Sequence, residues 1–470
     1  MLTSRINNKT KEDLKPILLH VLLGLLLYLL EPLGILYFFG FLIYFELKII
    51  YSTNKVLWTL VAAGYVSTSE VFLRMTGSVP FWESGKYLVT FFMLQGLYFK
   101  DLKLKAFPIL ILALLYFPGI YVTYLNYIDI EQSFRKMILF NLSGPLSLVA
   151  TALFCYKRQI KVNDILRVTD YMILPIISMA IYVTFKSPSF ENVTFTTESN
   201  QQLSGGYSGN QVSTIFGMGV FLTYIRFLIP PKQIILKVLN NFFLAFFAYR
   251  ALLTFSRGGL LTGLIMCGIL TLLFLNWANI IAKTKVILKL GLLSLAGFVV
   301  WGYTIAVTGG LIFNRYAGIN AKGVKKEDIS TGRFDIFTEE IELFMQDPIF
   351  GIGVGMGNIH RIETLGHTMA SHNEIGRMIS EHGSFGIAAL IMLILIPLFT
   401  FLFKPKNLFI IPFILFWFLT VNHSAMRVAL PGFFYGYALL DITYGKKRKK
   451  KKHPLSGQQT RSEKPQLNPS

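Results

Sequence analysis

The residues in this sequence best suited to chemistry are three arginines, Arg250, Arg257 and Arg333, and one histidine, His372, each set between or beside long apolar blocks. Ionisable groups at membrane depth are costly to keep and face a bundle interior or an aqueous cavity. A guanidinium stays charged and presents several donors in one plane, which suits a phosphate or diphosphate. The plain alternative is snorkelling, or a structural bond to loop carbonyls. TFSRGGLL puts Arg257 where one apolar block ends and the next begins, and Gly258 and Gly259 leave room for a second backbone. Arg250 shares a helix face with Arg257 only if the helix runs through that point. His372 lies in SHNE, where Ser371 and Glu374 have capping-box spacing, so His372 is expected at the first helical position. A helix start disfavours imidazolium, and a neutral imidazole can take the proton of an attacking hydroxyl. The alternative is a loop histidine that serves only the cap.

Other polar features surround this set. Asn373 and Glu381 lie in SHNEIGRMISEHGSFG, and His423 and Arg427 sit near an outer boundary. All four are candidates for supporting contacts, although His423 and Arg427 would equally anchor the last span. GGYSGNQ at 205–211 makes a glycine turn before an apolar block, with Asn210 at the boundary to contact a sugar or to end the helix. His360, His367 and His372 with Glu363 lack the HExxH spacing, and no metal is expected. FGIGVGMGN at 350–358 matches neither the GxxxxGK[ST] phosphate loop nor a dinucleotide fingerprint, and a closely packed turn is expected there. NVT at 192–194 has the form of a glycosylation acceptor. Cys155 and Cys267 both fall in apolar blocks, which supports no disulfide framework.

The elements that must carry these residues follow from composition. Of 470 residues, 53% are hydrophobic and 15% charged, whereas soluble domains carry about 25% charged residues. Apolar blocks of roughly 15–20 residues match the length that crosses the hydrocarbon layer as helix. The chain therefore reads as an all-α polytopic membrane protein with about fourteen spans: 17–30, 33–50, 56–73, 86–99, 107–125, 136–155, 169–185, 212–229, 238–255, 258–276, 287–306, 384–403, 407–421 and 427–441. Residues 1–16 are polar and basic, without a small-residue cleavage site after them, so the first span is expected to be retained.

The net charge of +20 sits largely at the termini and in short connections, which speaks for topology and against a nucleic-acid partner. With the amino terminus in the cytoplasm, the inner connections collect the Lys and Arg residues of 48–55, 100–105, 157–167, 232–237, 283–289 and 404–406, while the outer ones are balanced or acidic. Both termini are then cytoplasmic. The run from Lys446 to Lys452 either touches anionic membrane lipids or acts as a solvated topology anchor. The organisation expected is a cytoplasmic segment 1–16, a bundle 17–306, a large outer loop 307–383, closing spans 384–441 and a basic disordered tail 442–470. In the loop, Phe334, Phe337, Ile341 and Phe344 recur at helical spacing and Pro348 is a stop.

NLSGP at 141–145, GNQ at 209–211, TFSRGG at 254–259, GRFDIF at 332–337, DPIFGIGVGMGN at 347–358 and SHNEIGRMISEHGSFG at 371–386, in this order, resemble the bacterial O-antigen ligase and O-antigen polymerase superfamily. The resemblance spans roughly 140–390. Here SHNE is followed by Ile375 and Gly376 where an aromatic-leucine pair is more usual, and GRFDIF ends in phenylalanine where tryptophan is common. The resemblance implies a fold of the membrane glycosyltransferase C type. It also implies inverting transfer of a glycan from an undecaprenyl-diphosphate carrier to an acceptor hydroxyl at the periplasmic face of the inner membrane, without cofactor. Under it Arg257, Arg333 and Arg250 would bind the donor diphosphate, and His372 would act on the acceptor. The acceptor would be lipid A-core for a ligase, a second lipid-linked glycan for a polymerase, or a protein hydroxyl for an oligosaccharyltransferase. A lipid-linked polysaccharide transporter is the reading from another class; it calls for alternating access, and no inverted repeat is visible.

Overall fold

The computed structural model describes residues 2–100, 104–126, 133–193, 196–325, 333–366, 371, 373–404, 407–424 and 426–444. Apolar blocks in a lipid setting must satisfy their backbone internally, and these blocks do so as helix. In chain order the helices are α1 (Leu2–Leu29), α2 (Leu33–Tyr51), α3 (Lys55–Met75), α4 (Ser84–Lys100), α5 (Phe107–Leu114), α6 (Phe117–Leu125), α7 (Phe134–Cys155), α8 (Val162–Lys186), α9 (Gly209–Leu228), α10 (Ile234–Leu253), α11 (Arg257–Trp277), α12 (Ile280–Val307), α13 (Leu311–Ala317), α14 (Arg333–Gln346), α15 (Met356–Leu365), α16 (Glu374–Phe403), α17 (Ile410–Ser424) and α18 (Ala429–Ala438). Each block expected to span is helical, with α5 and α6 sharing one that breaks before Pro118. Among the described residues ten stretches are long and apolar enough to cross a membrane: α2, α3, α5 with α6, α7 to α12, and α16. α4, α17 and α18 are shorter, at 17, 15 and 10 residues.

Two boundaries differ from expectation. The helix of the first span begins at Leu2, so residues 2–16 of the polar segment are part of α1; nothing between Leu2 and Lys15 is a helix breaker. The carboxy-terminal tail was expected from 442, but Asp441–Thr443 form a strand, β2, paired in parallel with Gln159–Lys161, β1. Backbone pairing carries this contact, and it ties the connection before α8 to the end of α18.

The core sits where α3, α8, α9 and α18 meet, with α1 on α8, α4 on α3, α7 on α18 and α10 and α11 on α9. The α9 and α11 helices approach backbone to backbone. A Cβ at Gly259 would strike the Ser213 backbone, and one at Gly263 the Gly217 backbone. Small residues at four-residue spacing thus allow the close crossing typical of membrane helices, and the glycine pair after Arg257 serves the packing expected of it.

Between α12 and α16 the described residues form three short helices, α13 to α15, of which α14 and α15 pack against α16. Gly383 adopts φ 58° and ψ −137° inside α16 and breaks its hydrogen-bond ladder. The carbonyls of Ser380 and Glu381 then accept from the N–H groups of Ile352 (2.9 Å) and Gly353 (3.1 Å), while Ser384 N–H donates to Pro348 O (2.9 Å). Val354 N–H donates to Gly119 O (3.3 Å) and Thr123 Oγ1 to Val354 O (3.2 Å). Gly351, Gly353 and Gly355 all have positive φ. The glycine series is therefore a packed strap that satisfies a broken helix, a non-helical backbone buried in protein.

Candidate functional site

The site is assembled around the first turn of α16. Asn373 caps the helix, its Oδ1 accepting from the N–H groups of Ile375 (2.9 Å) and Gly376 (3.5 Å). This corrects the expectation of a Ser371–Glu374 capping box. Ser371 Oγ instead accepts from Asn373 N–H (3.1 Å) and donates to Asn373 O (3.0 Å). Glu374 is engaged elsewhere, pairing with Arg377 and accepting from Met426 N–H (3.3 Å). Arg377 also donates to Asn141 Oδ1 (2.7 Å) and Asn141 O (3.2 Å), which ties α16 to the NLSGP stretch inside α7.

The connection between α17 and α18 closes the other side. Arg427 donates to Ser371 O (3.0 Å), and its own carbonyl accepts from Arg74 (3.0 Å). Arg74 pairs with Glu70, and Glu70 accepts from Ala429 N–H (2.6 Å). Both side chains of that pair are fully buried. A charge pair held this deep orients a loop at the cost of its desolvation.

These segments enclose a cavity of about 730 Å³ lined by five cations, Lys86, Lys136, Arg361, Arg377 and Arg427, and three carboxylates, Glu83, Glu374 and Glu381. Ionised throughout, the wall carries a charge of +2. Asn141, Gln211 and Asn358 add neutral polar groups. Glu83 pairs with Lys86 and accepts from Ser143 Oγ (3.1 Å). Among the described residues Glu83 Oε1, Gln211 Oε1 and Asn358 Oδ1 are buried with no hydrogen-bond partner. Such atoms are costly to leave unsatisfied and mark where a polar ligand would gain most. The arrangement can hold a multiply charged anion beside hydroxyl-bearing groups.

Beyond the membrane spans, Glu340 of α14 packs against Gly376 and is almost fully buried, with Arg361 4.0 Å away. Burial pushes its carboxyl up to about 7, against the pull of the Ser371 hydroxyl and of Arg361 and Arg377. Tyr316 of α13 is pushed up to about 12, again by burial, with Arg257 and Arg315 opposing.

The residues singled out from sequence fall into distinct places. Glu381 and Arg427 line the cavity, and Asn373 caps the helix beside it. Asn210 accepts from Ser256 Oγ (2.7 Å), which locks the GNQ and TFSRGG motifs together, while its neighbour Gln211 faces the cavity. Arg257 opens α11 half-buried, next to Gly258, on which the His423 ring packs. His423 in turn lies 3.4 Å from Thr214 Oγ1. Arg250 and Arg257 do not share a helix face, because α10 ends at Leu253 and the chain turns through Phe255 at φ 54°. All three carbonyls of that turn are taken: Thr254 O by Asn200 N–H (2.9 Å), Phe255 O by Arg315 (2.9 Å) and Ser256 O by Ser213 Oγ (2.8 Å). A left-handed phenylalanine persists only when its surroundings over-determine it.

Arg250 is not among the residues that line the cavity. Its guanidinium donates to Val183 O (3.2 Å), Ser187 Oγ (3.0 Å) and Leu203 O (2.9 Å), the structural alternative weighed for it. Arg333 begins α14, and its side chain lies outside the description, as does His372 altogether. The expected first helical position of His372 is occupied instead by Glu374. His367 and Thr194 of the glycosylation pattern also lie outside the described residues.

Several lining residues were not singled out from sequence. Arg377, Asn141 and Gln211 lie inside motifs that were, so the signal was present but assigned to neighbours. Lys86, Lys136, Glu83 and Arg361 gave none, because their roles depend on α4, α7 and α15 meeting α16.

Residues 242–391 match the family model described as O-Antigen ligase. The segment runs from α10 into α16 and contains Arg250, Arg257, Arg333, Arg361, His372 and Arg377. No curated protein matches the chain. Together with the ordered motifs and the helical membrane fold, this match over residues 242–391 supports an assignment to the O-antigen ligase and polymerase superfamily.

Proposed function

We propose that the chain transfers a glycan from an undecaprenyl-diphosphate carrier to an acceptor hydroxyl, with inversion at the anomeric carbon, on the outer face of the bacterial inner membrane. Lipid A-core is the preferred acceptor. The observation that carries this reading is the cavity of about 730 Å³ whose five cations converge on the start of α16. A diphosphate leaving group gathers charge as the glycosidic bond breaks, and fixed guanidinium donors stabilise that charge more than the ground state. In the proposed step the acceptor oxygen forms the new bond to the anomeric carbon. The carbon–oxygen bond to the diphosphate breaks with its electron pair, and the hydroxyl proton passes to His372. Arg377, Arg427 and Arg361 are added to Arg257 and Arg333 as diphosphate ligands, and Arg250 is reassigned to holding the α8–α9 connection against α10.

The test is transfer by purified wild-type and His372→Ala protein from an undecaprenyl-diphosphate glycan, with lipid A-core and a second lipid-linked glycan offered separately and products read by mass spectrometry. Histidine-dependent attachment to lipid A-core is the expected result. Histidine-dependent chain lengthening alone would make the protein a polymerase. Donor binding without transfer to either acceptor would remove the assignment and favour a protein acceptor or transport.

A further inference from the structure

A second cavity, of about 690 Å³, lies at the opposite end of the bundle among α1, α8, α9 and α10. The α9 helix joins the two, with Gln211 at the first cavity and Arg226 at the second, about 22 Å apart at 1.5 Å per residue. Its mouth is charged and balanced: Glu12, Asp13 and Asp170 against Arg167, Arg226 and Lys232. On a chain of net charge +20, whose connections at this end are rich in lysine, that balance is a departure. Asp170 pairs with Arg226 (2.8 Å), and Gln233 donates to Asp13 (2.9 Å), which fixes α1 to the α9–α10 turn. Arg167 lies over the Trp58 ring at 5.1 Å. Below the mouth the wall becomes apolar, with Leu174, Ile177, Leu236, Leu239 and Phe243. From Leu236 to Phe243 this wall runs about 10 Å along α10.

A charged rim over an apolar shaft fits an amphiphile, and the volume is within the usual range of ligand sites. A surplus of cations at the rim would select an anionic lipid. Equal numbers of both signs, with acidic residues on α1 facing basic ones at the start of α8 and in the α9–α10 turn, suit a headgroup that carries both. We propose that this cavity holds one membrane phospholipid with a zwitterionic, amine-bearing phosphate headgroup. Arg167 and Lys232 take the phosphate, Glu12 and Asp13 the ammonium, and an acyl chain lies along Leu236 and Phe243. The site is independent of the glycan-transfer reading.

Native mass spectrometry of the full, delipidated chain tests this, with phosphatidylethanolamine, phosphatidylglycerol or free phosphoethanolamine added at equal concentration. Phosphatidylethanolamine is expected to be retained roughly tenfold better than phosphatidylglycerol, with no retention of the free headgroup. The Leu239→Trp variant, which fills the shaft, should lose the lipid. Glu12→Lys with Asp13→Asn, both at the exposed rim, should reverse the preference toward phosphatidylglycerol at an unchanged melting temperature. Equal retention of the two lipids, binding of free phosphoethanolamine as tight as that of the lipid, or an unchanged preference in the rim variant would each overturn the proposal.

Discussion

Arg377 is the residue on which the candidate site turns. One guanidinium joins Asn141 of α7 to Glu374 of α16 while facing the cavity. Lysine would keep the charge but not the planar fork. Arg377→Lys is therefore expected to lower glycan transfer by roughly 10²-fold, in the range lost with one preorganised donor, while membrane abundance stays near wild type. An equal fall in both would make Arg377 structural. The Glu70–Arg74 pair acts one layer back, through the backbone of Arg427 and Ala429. Removing one partner of a buried pair leaves an uncompensated charge and costs about 3–5 kcal/mol, whereas removing both costs less. Thermal unfolding in detergent should thus rank Arg74→Met below the double variant Glu70→Gln, Arg74→Met; the reverse order would mean that the pair does not hold the loop.

At the scale of elements, the loop helix α14 docks on α16 through Glu340 against Gly376. Burial raises the Glu340 carboxyl to about 7, so the docked state holds a proton that the undocked state, with an ordinary carboxylate, gives up at lower pH. Docking is then strongest below the usual carboxylate range, weakens as pH rises toward about 7 and levels off above it. Hydrogen exchange across Arg333–Gln346 should speed up between pH 5 and pH 8 in wild type, pH values spanning that window. In Glu340→Gln, which cannot ionise, the change after correction for intrinsic exchange should vanish. A persistent pH dependence would place the titrating group elsewhere. The break at Gly383 and its strap show the same economy: the carbonyls freed by the kink are the ones the glycine series satisfies.

For the whole molecule, the structure sorts the connections into two ends. Segments around Trp82, Ser133, Gln211, Ser371 and Arg427 surround one cavity, and those around Asp13, Arg167, Arg226 and Lys232 surround the other. The charge bias of the connections predicts that the second end faces the cytoplasm. In a background with the free, buried Cys155 and Cys267 replaced by alanine, an impermeant maleimide should label Ser133→Cys in intact spheroplasts. Lys232→Cys should label only after permeabilisation. The opposite pattern would invert the protein, and labelling of both in intact cells would remove the assignment of these ends to opposite faces.

The helical membrane architecture was legible in the sequence because a bilayer leaves an apolar block of this length few other conformations. The TFSRGG motif was legible too, since its glycines were expected to let a second backbone approach and Gly259 meets that of Ser213. The local pattern misled where side chains had longer-range partners. Ser371 and Glu374 have the spacing of a capping box, but Glu374 is drawn to Arg377 and Met426. Arg250 looked like a ligand for phosphate until three acceptors from the α8–α9 connection closed around it. Lys86, Glu83 and Arg361 owe their place in the cavity to contacts between elements far apart in the chain. Sequence thus determined which segments are helices and which residues are expensive to bury; only the tertiary structure decided which of those charges face one another and which face a ligand, because that depends on helix crossings made by packing and not by local propensity.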